Sequence, residues 1–463
     1  MQMGRVEDRH EADMTRRPLH LYLFALLLSM VACSGTHVAP ASETQPVRDE
    51  TPAVDAEPES ALPRGVYALS GLDPTLPVSD LDDALASLGA PDVYALGETV
   101  HTSEGYAEAR VRVLRYLIEH KGVRAVGFEG HWRNAEPTRA YVERCEGTLA
   151  AARAGLTFRA WMSRATSDFL RWLCEYNQAH ADDKVTVFGF DVQNSAQDAG
   201  YLRSFITEAA PSEAARTKAL DVCLGARFEG LNDAMLDPAD GPILKLEAPL
   251  SEERHTACAE ATAALGTFLS TNEASLVAAT SRERFELARF AVRSIAAFDG
   301  EYFYMWSDQK KSFESRDEAM AEGVALMRTL RARGKPVALV AHNDHILRAR
   351  DELDTRNYDW KSMGSWLAER WGDAYAPIGL FARNVAIDWD GSGATDLPPR
   401  KGKDDLERPL HELGVPYLFV NLADTAAYVP EKKYSLSEAS TGIPARHYRA
   451  LIYLESSAAF RDP

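Results

Sequence analysis

Short apolar runs alternate with longer amphipathic stretches along most of this chain. Residues 92–97 (DVYALG), 123–130 (VRAVGFEG), 184–191 (KVTVFGFD), 335–342 (KPVALVAH), 375–382 (YAPIGLFA), 416–421 (PYLFVN) and 448–455 (YRALIYLE) are nearly continuous apolar segments of strand length, the pattern of strands buried on both faces. Between the first two, EGYAEARVRVLRYLIEHKG places Tyr106, Ala109, Val113, Leu114, Leu117 and Ile118 at helical spacing, with Gly122 as a C-terminal stop. A helical crossover of that length predicts parallel pairing of the strands on either side. Residues 200–330 are rich in Ala, Leu, Glu and Arg with helical periods. The predicted fold class is therefore α/β: a mainly parallel central sheet flanked by helices, with an inserted helical region at about 200–330, in one domain spanning 63–463.

The N-terminal pattern is different. From Met14, MTRRPLHLYLFALLLSMVAC has a basic start, an apolar core and a small residue before Cys33, the layout of an export signal too short to span a bilayer stably. Residues 1–32 read as that signal, with Met14 as the expected true start because acidic residues in 1–13 suit no such leader. Cys33 resembles the lipid-modified cysteine of bacterial lipoproteins, which usually have Leu where this chain has Met30. Residues 33–62, rich in Pro, Ala, Ser, Thr and Glu without an apolar period, read as a flexible tether. The expected location is the cell envelope, lipid-anchored and periplasm-facing or associated with the outer membrane, with membrane contact only through the anchor. In such an oxidising compartment the other four cysteines allow two bridges in three connectivities. Sequence neighbours are the expected pairs, Cys145 with Cys174 and Cys223 with Cys258.

Composition narrows the function classes. With 46% apolar residues in 463 the chain has ample core. A formal charge of -18 argues against nucleic acid as a partner, since such sites are basic stripes.

Ligands of open parallel sheets bind beyond the carboxyl ends of the strands, and here those ends are loaded. Glu98 and His101 follow the first run, Glu129 and His131 the second, Asp191 the third, and His342 and His345 the fourth. Any one of these acids alone reads as a helix N-terminus neighbour, and His131 reads as packing beside Trp132. Jointly they predict one cleft, with Arg316 pointing in and helices of 200–330 as a wall. Imidazole, with an unperturbed pKa of about 6.5, is the natural base for neutral-pH hydrolysis. A carboxylate from Glu98 or Glu129 would orient His101 and stabilise its imidazolium. No G-x-S-x-G elbow is present, which argues against a serine nucleophile. His342, His345 or an arginine is left to stabilise the oxyanion or protonate the leaving alcohol.

GETVH, the helix leading into GFEG, GFDVQ, SRDEAMAE, VALVAHNDH and SMGSWLAERWGDAYAPIGL together resemble successive blocks of the erythromycin esterase family, over roughly residues 90–385. The resemblance implies hydrolysis of a small-molecule ester, a macrolide lactone in known members, by water activated at the histidine matching His101. It implies active-site roles for Glu98, Glu129, His342 and His345, and cleft arginines at Arg110 and Arg316. Arg110, Asp191 and Arg316 are the expected substrate-binding residues, and no cofactor is required. Two alternatives come from the wider superfamily. One is a metal-dependent hydrolase in which His101, His342, His345 and Glu129 hold a divalent ion; the other is a non-catalytic lipoprotein that binds iron or haem. Known resistance enzymes of the family act in the cytoplasm, so an exported member leaves the substrate open. Residues 388–409 (DWDGSGATDLPPRKGKDDLERP) lie outside the matching blocks and read as a rim loop bearing on specificity.

Overall fold

Each predicted apolar run contains a strand in the computed structural model, which describes residues 62–224, 250–355, 359–389, 391, 393–400, 402–437 and 439–460. The signal, Cys33 and all but the last residue of the tether lie outside the described residues. Among the described residues the strands are β1 (Val66–Ala68), β2 (Val93–Leu96), β3 (Ala125–His131), β4 (Thr186–Asp191), β5 (Val337–Val340), β6 (Asp354–Thr355), β7 (Tyr375–Ile387), β8 (Thr395–Leu397), β9 (Tyr417–Asn421), β10 (Tyr434–Ser435), β11 (Ser440–Gly442) and β12 (Ala450–Ser457). The main sheet runs β1-β9-β12-β7-β2-β5-β3-β4, with β8 on β7, while β10, β11 and β6 form a separate small sheet. From β12 to β4 every pairing is parallel; β1, β9 and β8 pair antiparallel.

Helices cover both faces, which is why the central strands are apolar at every position. Alternation along the strands divides the core. Tyr94, Leu96, Val126, Val187 and Val340 pack with α1 (Glu104–His120) and α2 (Arg164–Ala179) on one side. Val93, Ala95, Phe188, Phe190 and Leu339 pack on the other side with α3 (Ser195–Ala209), α4 (Glu252–Thr271), α5 (Arg282–Tyr304) and α6 (Gln309–Arg331). α3 to α6 occupy most of the predicted helical region. The helix α1 ends as its sequence indicates: Gly122 turns the chain out at φ 70°, a value that suits glycine.

One expectation is corrected. β2 and β3 are parallel but do not pair with each other, because β5 lies between them, with Val337 in register with both Val93 and Ala125. The strand that completes the unit comes from more than 200 residues further along the chain. Its insertion creates the switch point. After β2 the chain leaves through α1 on one face, and after β5 it leaves towards α7 (Met363–Trp371), whose Met363 and Leu367 pack on the opposite face. Connections that diverge from adjacent strands open a crevice at their carboxyl ends.

Both expected cysteine pairs are bonded, with Cα–Cα distances of 5.3 Å for Cys145–Cys174 and 5.0 Å for Cys223–Cys258.

Candidate active site

Register sets the site. Leu96 and Phe128 both align with Val340, so the residues that follow on β2, β3 and β5 emerge on one rim. Pairing continues past the strands: the Asn343 amide donates to the Glu98 carbonyl at 2.8 Å, and His342 N–H donates to the Glu129 carboxylate at 2.8 Å. This close approach requires Gly97, where a Cβ would sit 1.8 Å from Asn343 Oδ1. Asn343 in turn donates to the Leu380 carbonyl on β7 at 3.0 Å.

Glu98 is wholly buried and divides its carboxylate. Oε1 lies 2.7 Å from His101 Nδ1, and Oε2 accepts from Arg110 at 2.5 Å. The His101 ring, a quarter exposed, stands edge-on to Trp161 at 5.6 Å and 5.2 Å from the ring of His342. Trp161 is anchored from behind by its indole N–H, which donates to the Glu129 carbonyl, and the Arg110 guanidinium lies over its ring. Thr102, immediately after His101, has φ 64°, a strained backbone for a β-branched residue.

A second cluster begins at Glu129. Its Oε1 is 3.1 Å from Arg316 and 3.3 Å from His345 Nε2. Burial alone would raise this carboxyl, but His345, Arg316 and His101 outweigh it and hold the group at about 2. His345 Nδ1 is 2.5 Å from Asp317, whose other oxygen accepts from Trp360 at 2.8 Å. Burial opposes charge on this ring, yet Asp317 and Glu129 raise it to about 9, so His345 is an imidazolium at neutral pH. Arg316 sets Nε and Nη2 on Asp191 at 3.0 and 2.7 Å, the planar two-point pairing that lysine cannot make. Arg316 and Asp317 are consecutive on α6, so they project about 100° apart. One meets β4 and the other meets the turn after β5.

His342 is held differently. Nε2 lies 3.0 Å from the Thr99 carbonyl, an acceptor, and Nδ1 lies 3.2 Å from the Asp344 amide, a donor. That geometry defines a neutral ring, and burial lowers its pKa in the same direction despite Asp344.

The structure thus brings Glu98, His101, Glu129, Asp191, His342, His345 and Arg316 into one linked cluster, with Arg110 behind it. Asp191 and Arg110, expected to bind substrate, are buried in ion pairs with Arg316 and Glu98. His131 is buried beside Trp132 with Asp198 at 3.3 Å, which accords with a packing role. The four residues named as metal ligands do not fit an ion in this arrangement. Among the described residues no group of three or more His, Cys, Asp or Glu is placed to hold one. Both ring nitrogens of His345 face carboxylates, Nδ1 on Asp317 and Nε2 on Glu129, and the Nδ1 lone pair of His342 takes the Asp344 amide.

Three participants carried no signal at a strand end. Asp317 stood inside a block already noted for Arg316, and Trp161 lies in a short turn before α2. Glu301 on α5 is a buried carboxyl whose Oε1 accepts from Gln193 at 2.7 Å and whose Oε2 has no hydrogen-bond partner. Burial raises it to about 7, against the pull of Arg316.

A layered α/β protein with a carboxylate-oriented histidine at the switch point of its sheet is the class this fold and site define. The sequence matches the erythromycin esterase family profile over residues 118–456, and the chain belongs to that family. The matched span holds Glu129, Asp191, Arg316, His342 and His345 and begins after His101. Solved structures with the same fold include a histidine-to-asparagine variant of the erythromycin esterase EreC in its open conformation (TM-score 0.69, 16% identity, 85% of this chain and 98% of that one). A Bacillus cereus protein superposes with TM-score 0.68 at 16% identity over 86% of this chain and 97% of its own. A succinoglycan biosynthesis protein does so with TM-score 0.67 at 14% identity, over 86% and 96%.

Proposed function

We propose that the protein hydrolyses an ester or lactone with a water activated at His101. The observation that carries this reading is the buried Glu98 carboxylate, shared between His101 Nδ1 at 2.7 Å and Arg110 at 2.5 Å. A carboxylate accepting at Nδ1 fixes the proton there and leaves the lone pair on Nε2, in a ring that retains access to solvent. Arg110, paired with the other oxygen, holds Glu98 in place.

His101 Nε2 takes a proton from water as the water oxygen bonds to the carbonyl carbon and the C=O π pair moves onto oxygen. Arg316 and the imidazolium of His345 supply positive charge beside that oxyanion. Arg316 Nη1 is suited to this, since its approach to His345 is a long 3.5 Å. Collapse of the intermediate breaks the C–O bond, and the departing alkoxide takes the proton back from His101. The products are an acid and an alcohol, which remain in one hydroxy acid when the substrate is a lactone. Glu129 and Asp191 hold Arg316 and His345 in position throughout.

A panel of lactones and simple esters, assayed after dialysis against a chelator, tests this reading. Hydrolysis of at least one should survive metal removal; inactivity towards the whole panel contradicts the proposal.

We also propose export with a lipid on Cys33, supported by the layout of residues 14–33 and by two disulfides, which persist in oxidising compartments. Radiolabelled fatty acid should mark the wild type and not Cys33→Ser. Label on both, or on neither, contradicts attachment.

A further inference from the structure

The loop after β7 is tied to the His101 turn. Asp388 N–H donates to the Thr102 carbonyl at 3.2 Å, and Phe460 N–H reaches the same oxygen at 3.2 Å. The left-handed backbone of Thr102 therefore presents its carbonyl to the loop, giving the strain beside His101 a mechanical use. The Asp388 side chain then organises the loop itself: Oδ1 accepts from the Gly391 amide at 2.8 Å and from Gly393 at 3.4 Å. Arg159 holds the same residue from the side, with Nε donating to its carbonyl at 3.4 Å and Nη2 3.5 Å from Oδ2.

What this arrangement delivers is Trp389. Its ring centroid lies 6.2 Å from that of His101, tilted by 34°, and its side chain is half-buried. Trp161, on another side of His101, is almost fully buried and occupied by Arg110 and the Glu129 carbonyl. Of the two indoles beside the proposed base, Trp389 is the one with surface to offer a ligand. An aromatic ring so placed gains by covering an apolar face.

We propose that Trp389 is a specificity-determining residue: it forms the wall against which a neutral ester lays an apolar ring face while its carbonyl sits at His101. The proposal rests on the hydrolase reading for the position of the carbonyl. The acidic chain, with a formal charge of -18, suits a neutral ligand better than an anionic one. Anchoring Asp388 to Thr102 and to Arg159 fixes the wall relative to the proposed base, so ring binding and carbonyl placement are linked through the loop.

Binding and turnover separate the two claims. Methyl 2-naphthyl ketone is an unreactive stand-in for an aryl ester, and its Kd is read by calorimetry beside that of 2-butanone, which has no ring. Trp389→Ala should weaken the naphthyl ketone about 5–30-fold, the range expected for a lost aromatic contact, and Trp389→Phe should recover most of that. Affinity for 2-butanone should move by less than about 2-fold. A naphthyl ketone Kd within 2-fold of wild type in a folded Trp389→Ala protein, or no saturable binding to wild type, overturns the assignment. Turnover of 2-naphthyl acetate is scored separately. A wild type that binds the ketone through Trp389 but cleaves no ester retires the hydrolase reading and leaves the wall. Turnover with an unchanged KM in Trp389→Ala does the reverse.

Discussion

Glu98 Oε1 and His101 Nδ1 lie 2.7 Å apart, with the carboxylate wholly buried and the imidazole a quarter exposed. The carboxylate is thus shielded while the imidazole retains access, and Arg110 pairs with the side of Glu98 turned away from the ring. Charge, tautomer and access follow from one residue placed after β2.

Replacing that charge tests its role. In Glu98→Gln the amide can donate to Nδ1 and so favour the wrong tautomer, and Arg110 loses its buried counter-charge. Turnover should fall by about 10²–10³-fold, since general-base transfer is worth about 10²–10⁴-fold. Stability should fall by about 3–5 kcal/mol, the usual cost of breaking a buried pair. Steady-state kinetics and urea midpoints read both; a kcat within 3-fold of wild type contradicts the orienting role.

The His345 cluster sets the pH response. Its folded pKa, raised to about 9, lies above the ordinary histidine value. Its stabilising contribution is therefore complete below about 6.5 and is lost as pH rises through 9. The shift is worth on the order of 3 kcal/mol, and turnover should show an alkaline limb in the same range as the oxyanion loses a positive neighbour. Glu129, held at about 2, behaves oppositely: its contribution is full above about 4.5 and disappears as pH falls through 2. His345→Gln should remove the alkaline loss of stability. A midpoint that falls equally from pH 7 to 10 in both proteins contradicts the assignment.

The two disulfides close loops with sequence separations of 29 and 35. Each should contribute about 3–4 kcal/mol by restricting the unfolded chain. Cys145→Ser with Cys174→Ser, and Cys223→Ser with Cys258→Ser, should each lower the denaturant midpoint accordingly. Unchanged midpoints in both double variants would show that the bridges carry little of the stability.

The sequence reveals strand positions well because β2, β3, β4, β5, β7, β9 and β12 each contain a short apolar run, and polar residues follow the runs of β2, β3, β4 and β5. The same feature makes Glu98, Glu129, Asp191, His342 and His345 visible as candidates, since a carboxyl end is a position that can be counted along the chain. Strand order is less accessible. Nothing local to residues 93–131 indicates that β5 will separate β2 from β3, because that pairing is made by a segment beyond the helices of 200–330. Asp317, Glu301 and Trp161 were hidden for the same reason: their partners are distant in sequence, and an acid on an amphipathic helix looks like a solvated one. The burial of Asp191 and Arg110 depends on how α6 and α1 pack on the sheet, which residue type alone does not convey.

The most direct test of the account is single-turnover and steady-state hydrolysis by His101→Gln. Glutamine preserves polarity and approximate size but cannot take a proton from water. The protein should fold and keep its KM within about 3-fold, while kcat falls by about 10²–10⁴-fold, with no recovery on adding zinc or manganese. A folded His101→Gln protein that turns over its best ester at the wild-type rate contradicts the central claim.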